Sequence, residues 1–213
     1  TGHKVTATST TAIEGLLQGF KYLKRQKSIA SVIMLGVTLG LFGSSFETLL
    51  PVFTDEVFSG GEGVYGNLLL GAGVGGLTAT TAITLIGRRV RPALYLLIAG
   101  VGVGATQLIF AQMEALSVAI FVAGIMGGFR VVLGIMNTTV VQTLVDEEFR
   151  GRVMSINQLT WGASALGGLT MGYLAQKFDA PTAMTVGGTI AIFATLIVGQ
   201  RLVRNFGIGS KAK

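Results

Sequence analysis

A succession of apolar stretches, each close to bilayer-spanning length and separated by short charged or glycine-rich breaks, constrains this chain more than any other feature. A helix needs about 20 mostly apolar residues to cross the hydrocarbon core. Reading on from Lys27, six stretches meet that requirement: 29–53, 65–86, 93–111, 116–145, 153–174 and 181–200. The breaks are chemically plain, with 54–63 acidic and Gly-rich, 87–91 cationic, 112–114 polar, 146–152 charged and 176–180 polar. Inside a bilayer each backbone N–H and C=O must be satisfied within the protein, so the expected fold is an all-α membrane bundle of six helices over residues 28–204. A linker, 1–27, precedes it and a short tail, 205–213, follows.

Composition agrees and excludes several functions. Half of the 213 residues are hydrophobic and 12% are charged, where a soluble domain carries about 25%. There is no cysteine, and the only histidine, His3, lies in the polar amino-terminal segment, so thiolate sites, cysteine nucleophiles and metal centres are not expected. One terminal histidine also rules out a Ser-His-Asp set, and no paired-carboxylate site stands out; no enzyme activity and no cofactor are expected. The net charge of +6 does not point to nucleic acid, because the cations sit between apolar stretches rather than on one polar face.

Those cations predict an orientation. With a cytoplasmic amino terminus, the inside segments hold Lys4, Lys21, Lys24, Arg25 and Lys27, then Arg88, Arg89 and Arg91, then Arg150 and Arg152, then Arg201, Arg204, Lys211 and Lys213. Outside falls Lys177, among Asp55, Glu56, Glu62, Glu114 and Asp179, while Arg130 is inside a span. The positive-inside rule therefore places both termini in the cytoplasm. The segment 12–27 sets Ile13, Leu16, Leu17, Phe20 and Leu23 at helical spacing ahead of its lysines, with Thr11 and Glu14 as a capping box. An interfacial helix on the membrane is expected there, the alternative being an ordinary amphipathic helix.

Two motifs resemble nucleotide fingerprints. Gly71, Gly73 and Gly76 match G-x-G-x-x-G, and Gly100, Gly102 and Ala105 its variant. Both lie within apolar spans, without the strand before and the acidic residue after that a dinucleotide site needs. The pairs Gly71 and Gly75, Gly100 and Gly104, Gly124 and Gly128, and Gly168 and Gly172 read instead as small-xxx-small surfaces for helix packing.

Polar residues within the spans are the candidates for function. Arg130 stands 14 residues after Leu116, about 21 Å into its span. A charge at that depth must face a cavity or a partner. Gly127, Gly134, Asn137, Thr138 and Val141 share its helix face, as a lining stripe would. Arg130 is read either as a contact for an anionic or polar substrate or as a cation neutralised by a carboxylate or carbonyls of neighbouring helices. Glu47 lies 18 residues into the first span, about 27 Å along. It suits a proton-coupling group, or else an interfacial glutamate that reaches water. Gln158, Asn157 and Trp161 open the fifth span and could line a cavity, Trp161 being as easily a boundary or core aromatic, and Asn67 and Gln107 are weaker candidates.

The stretch 134–156, GIMNTTVVQTLVDEEFRGRVMSI, resembles the loop between the tenth and eleventh helices of major facilitator transporters, in the branch of enterobactin exporters and transmembrane secretion effectors. Thr48-Leu49-Leu50-Pro51-Val52-Phe53 resembles the end of that branch's seventh helix, and 71–91 its eighth helix and following basic loop, with Gly87-Arg88-Arg89 the remnant of the cytoplasmic motif. The likeness runs from Ala12 onward and concerns the second six-helix half of a twelve-helix fold. It implies that the first, second, fourth and fifth spans line a central cavity and the third and sixth are peripheral. It further implies proton-coupled efflux of small drug-like or siderophore-like molecules at the bacterial inner membrane, with a missing amino-terminal half as partner. Arg130 has no counterpart in the family pattern, so its role rests on burial. Arg88, Arg89, Asp146, Glu148, Arg150, Gly151 and Arg152 are expected to form a cytoplasmic latch, the arginines binding helix-end carbonyls or nearby acids and Gly151 permitting a tight turn. A start at Thr1 is compatible with an inter-half linker; if the chain stands alone, a self-pairing half or a membrane scaffold is the alternative. The three prolines lack the repeated signature of mitochondrial carriers, and no filter-like loop suggests a channel.

Overall fold

Long apolar segments bounded by glycine, proline or charge become long helices. The computed structural model describes the backbone of residues 12–43, 45–87 and 91–206, and side chains within them except at 12, 13, 45, 160, 161 and 203–206. Thr11, Arg88, Arg89 and the tail from residue 207 lie outside the described residues. In chain order the helices are α1 (Ala12–Arg25), α2 (Lys27–Phe42), α3 (Ser45–Val52) with a π-helical extension (Phe53–Val57), α4 (Glu62–Ile86), α5 (Pro92–Phe110), α6 (Leu116–Leu144), α7 (Arg150–Lys177) after a 3-10 turn (Glu147–Phe149), and α8 (Ala180–Phe206). No strand occurs among the described residues.

The ends have local causes. Pro92 occupies the first turn of α5, where its missing N–H costs nothing. Gly87 closes α4 at φ 55, a conformation that glycine adopts without a Cβ clash. Threonines inside the spans satisfy their own hydroxyls, as Thr38, Thr80, Thr106 and Thr195 donate to carbonyls four residues back.

Five segments are long and apolar enough to cross a membrane: Lys27–Val57, Glu62–Ile86, Pro92–Phe110, Leu116–Leu144 and Ala180–Leu202. The expected fifth span, 153–174, lies on α7, a helix of 28 residues that falls short of that apolarity. The expected first span is not one continuous helix. Its α-helical path stops at Phe42, Gly43 caps α2, and α3 resumes at Ser45 before passing into a π turn at Phe53–Val57. Pro51 helps explain the irregularity, because its ring displaces the carbonyl four residues back, that of Glu47.

Helix pairing follows the small residues. α4 lies on α6, where a Cβ at Gly71 would stand 2.7 Å from the Ile120 carbonyl oxygen and one at Gly128 3.2 Å from that of Gly75. α5 lies on α8, with Gly104 against the Gly188 carbonyl. Gly168 approaches the Thr48 hydroxyl. Gly172 departs from the expected packing pair: a Cβ there meets open space within the described chain. Two apolar clusters fill the bundle, one at the end holding Ile29, Val140, Val153 and Leu202, the other holding Phe46, Phe53, Phe110, Met126 and Met184. The break at Gly43 falls between them, with Leu39 in the first cluster and Phe46 in the second.

Candidate functional site

Between these clusters α6 carries a charge in its middle. Arg130 is the central residue of Leu116–Leu144, and its Nη2 lies 3.0 Å from Oε1 of Glu47 on α3. A straight helix from residue 29 places Glu47 about 27 Å along, towards the far boundary. In the structure its carboxylate meets the side chain of the residue midway along α6. A carboxylate of a neighbouring helix thus neutralises Arg130, and that carboxylate is itself 63% exposed, against 23% for the guanidinium. The pair is open on the cavity side rather than enclosed by side chains all round.

The pair stands in the wall of a cavity of about 910 Å³. Gly127, Gly134, Asn137 and Thr138 line it from the Arg130 face of α6, joined by Gly36 and Gly40 of α2, Gly73 of α4 and Ser164 of α7. Val141, the last member of that expected stripe, is fully buried in core instead. Among the lining residues α5 contributes only Val103 and α8 none. Asn137 is buried, and its Nδ2 donates to the Val32 carbonyl at 3.2 Å, so part of its amide fixes α2 against α6 rather than facing solute. Gln158 does not line the cavity; it is exposed on α7. One residue is about 100° of helix rotation, so the buried Asn157 and, seven residues on, the cavity-lining Ser164 share a face that Gln158 does not. The Trp161 side chain lies outside the described residues.

Gln107 is the residue that sequence reasoning undervalued. It is fully buried on α5, and its Nε2 donates to the Gly43 carbonyl at 2.8 Å, supplying a partner to a carbonyl exposed by the helix break. An uncharged polar residue in the last turn of an otherwise apolar span is the available signal.

The expected latch takes a different form. Gly151 makes no turn: it is in the first turn of α7, and the chain reverses through Asp146 and the 3-10 turn. Arg150 meets Glu147 at 3.6 Å, an exposed contact, and Glu148 is exposed. Arg152 sits 5.6 Å over the Phe149 ring. Asp146 accepts a hydrogen bond from the Tyr22 hydroxyl of α1 at 3.0 Å, and Tyr22 stacks on Phe149 at 4.5 Å. Burial, reinforced by the Asp146 carboxylate and opposed by the Asp146 N–H, lifts the Tyr22 phenol above its ordinary range. It stays neutral and donating at physiological pH.

Among the described residues no group of three His, Cys, Asp or Glu side chains could hold a metal ion.

Comparison with known proteins adds a family. The family model described as transmembrane secretion effector matches residues 3–207. A staphyloferrin A transporter of Staphylococcus aureus is 26% identical over 175 residues, which cover 81% of this chain and 42% of the relative. The chain thus spans about two fifths of the length of that curated relative. No solved structure matches it.

Proposed function

Because this chain belongs to the transmembrane secretion effector family of major facilitator-type transporters, we propose that it is the six-span carboxy-terminal half of a proton-coupled exporter in the bacterial inner membrane, with both termini cytoplasmic. Its cargo is a small amphipathic, siderophore-like molecule, in keeping with the name of the staphyloferrin A relative. The observation that carries this reading is the open Glu47–Arg130 pair in the cavity wall. A cavity of about 910 Å³ suits a small molecule, whose sites occupy roughly 300–1,000 Å³.

The pair supplies a coupling rule. An arginine at mid-membrane needs an anion beside it, and an ionised carboxylate only accepts hydrogen bonds. A molecule bearing both an anionic group and hydroxyl or ammonium donors inserts between the two, giving its anion to Arg130 and its donors to Glu47. A proton on Glu47 removes the charge that makes those bonds strong. For a cargo held chiefly through its donors, proton and cargo thus compete for the Glu47 carboxylate, the condition for antiport. The second half completes the cavity, and the exposed apolar faces of α4 (Leu70, Val74, Leu77) and α7 (Leu166, Leu169, Tyr173) are its contact surface.

The test is efflux in everted vesicles carrying the complete transporter, with a carboxylate siderophore and an amphipathic dye as cargo. Glu47→Gln and Arg130→Gln are expected to lower pH-gradient-driven transport at least about tenfold, equivalent to about 1.4 kcal/mol, at unchanged protein level. Wild-type flux in both variants overturns the assignment.

A further inference from the structure

Helix α1 carries two different surfaces, and only one is used within the chain. Gly19 and Leu23 are buried, Gly19 lying against the Arg152 carbonyl and Ile156 of α7. Tyr22, beside them, donates to Asp146 and stacks on Phe149. On the next face, Leu17 is 62% exposed and Phe20 50% exposed, three residues apart and so adjacent on the helix. One turn further on, at i+4 from Leu17 and Phe20 and so on the same face, Lys21 and Lys24 are exposed, with Arg25 beside Lys21 and Lys27 at the start of α2. A single residue, Gln26 at φ −102 and ψ 76, separates α1 from α2, the beginning of a membrane-crossing segment. So short a joint ties α1 to the end of that segment.

We propose that the Leu17–Phe20 strip and the flanking cations dock α1 onto anionic phospholipid of the cytoplasmic leaflet, while its opposite face stays clamped on α7. The choice of occupant rests on charge complementarity: an apolar strip inserts among acyl chains while lysines and arginines beside it meet anionic headgroups. The leaflet side rests on the orientation proposed above, but the contact itself does not depend on transport. The amphipathic helix is thereby a strap between the leaflet and the cytoplasmic end of α7, with Tyr22, Asp146 and Phe149 as its buckle.

The chain has no cysteine, so single cysteines can carry a nitroxide. In nanodiscs containing phosphatidylglycerol, labels at Leu17→Cys and Phe20→Cys are expected to be more accessible to oxygen than to a water-soluble nickel chelate, and a label at Gln18→Cys the reverse. Replacing Lys21, Lys24 and Arg25 by Gln is expected to lower anionic-lipid occupancy about fivefold per cation, and purely zwitterionic discs to weaken the contrast likewise. Two results overturn the proposal. Exclusion of both reagents at 17 and 20 means that protein covers the strip, and a contrast independent of lipid charge means that anionic headgroups are not the partner. Transport-dead variants at Glu47 report separately, since their labels still read the lipid contact.

Discussion

At Gly75 the carbonyl of Gly124 occupies the place where a Cβ would stand, whereas at Gly172 that place is open. Two glycines from the same kind of small-xxx-small pattern therefore carry different loads. Gly75→Ala forces α4 from α6 and is expected to cost about 1–3 kcal/mol, seen as a lower melting temperature in detergent. Gly172→Ala keeps its space and gains up to about 1 kcal/mol of helix propensity, so its melting temperature should be unchanged or higher. Equal losses at both positions would refute this account of the α4–α6 contact. At the same scale, Arg130 and Asn137 share one stripe of α6 but differ in use: the guanidinium meets Glu47 across the cavity wall, while the amide meets a backbone carbonyl of α2.

Among the elements, Gln107 of α5 supports the interrupted first span that carries Glu47. The Gln107 side chain reaches the carbonyl of Gly43 at 2.8 Å, and losing the partner of a buried polar group costs about 1–3 kcal/mol. Gln107→Leu is expected to loosen the break without touching the Glu47–Arg130 atoms. Hydrogen–deuterium exchange over residues 39–50 should then be at least about fivefold faster, the equivalent of 1 kcal/mol in local opening. Unaltered exchange there would remove Gln107 from this role. The aromatic cluster of Phe46, Phe53 and Phe58 around Phe110 anchors the far side of the same break. The break therefore has a packed support on one side and the cavity on the other.

For the whole molecule, α7 decides the topology. Its 28 residues extend about 42 Å as a helix, enough to cross, although its composition is less apolar than that of the five other candidate segments. A helix that lines a polar cavity can carry more polar residues than one facing lipid on all sides. With six spans, a cysteine at Lys177 should react with an impermeant thiol reagent in intact cells, and one at Arg150 only after permeabilisation. Labelling of both from the same side would return the chain to five spans and move its carboxy terminus across the membrane.

Much of this was legible in order of chain position. The apolar runs gave the membrane class and nearly every helix, because hydrocarbon leaves the backbone few options, and Arg130 was conspicuous because a charge in such a run must have a reason. The resemblance around 134–156 pointed to the family that the model over residues 3–207 assigns. What sequence order could not give is which faces meet. By chain position Gln158 is a lining candidate, yet one residue of helix rotation turns it away, and the turn expected at Gly151 is made by Asp146 and the 3-10 segment. The buckle of Tyr22 and Asp146 joins residues 124 positions apart, and the Glu47–Arg130 pair joins side chains of α3 and α6 that no periodicity pairs. Span length and burial cost are local quantities fixed by composition, whereas partners across helices depend on rotation and bending that only packing of the whole bundle decides.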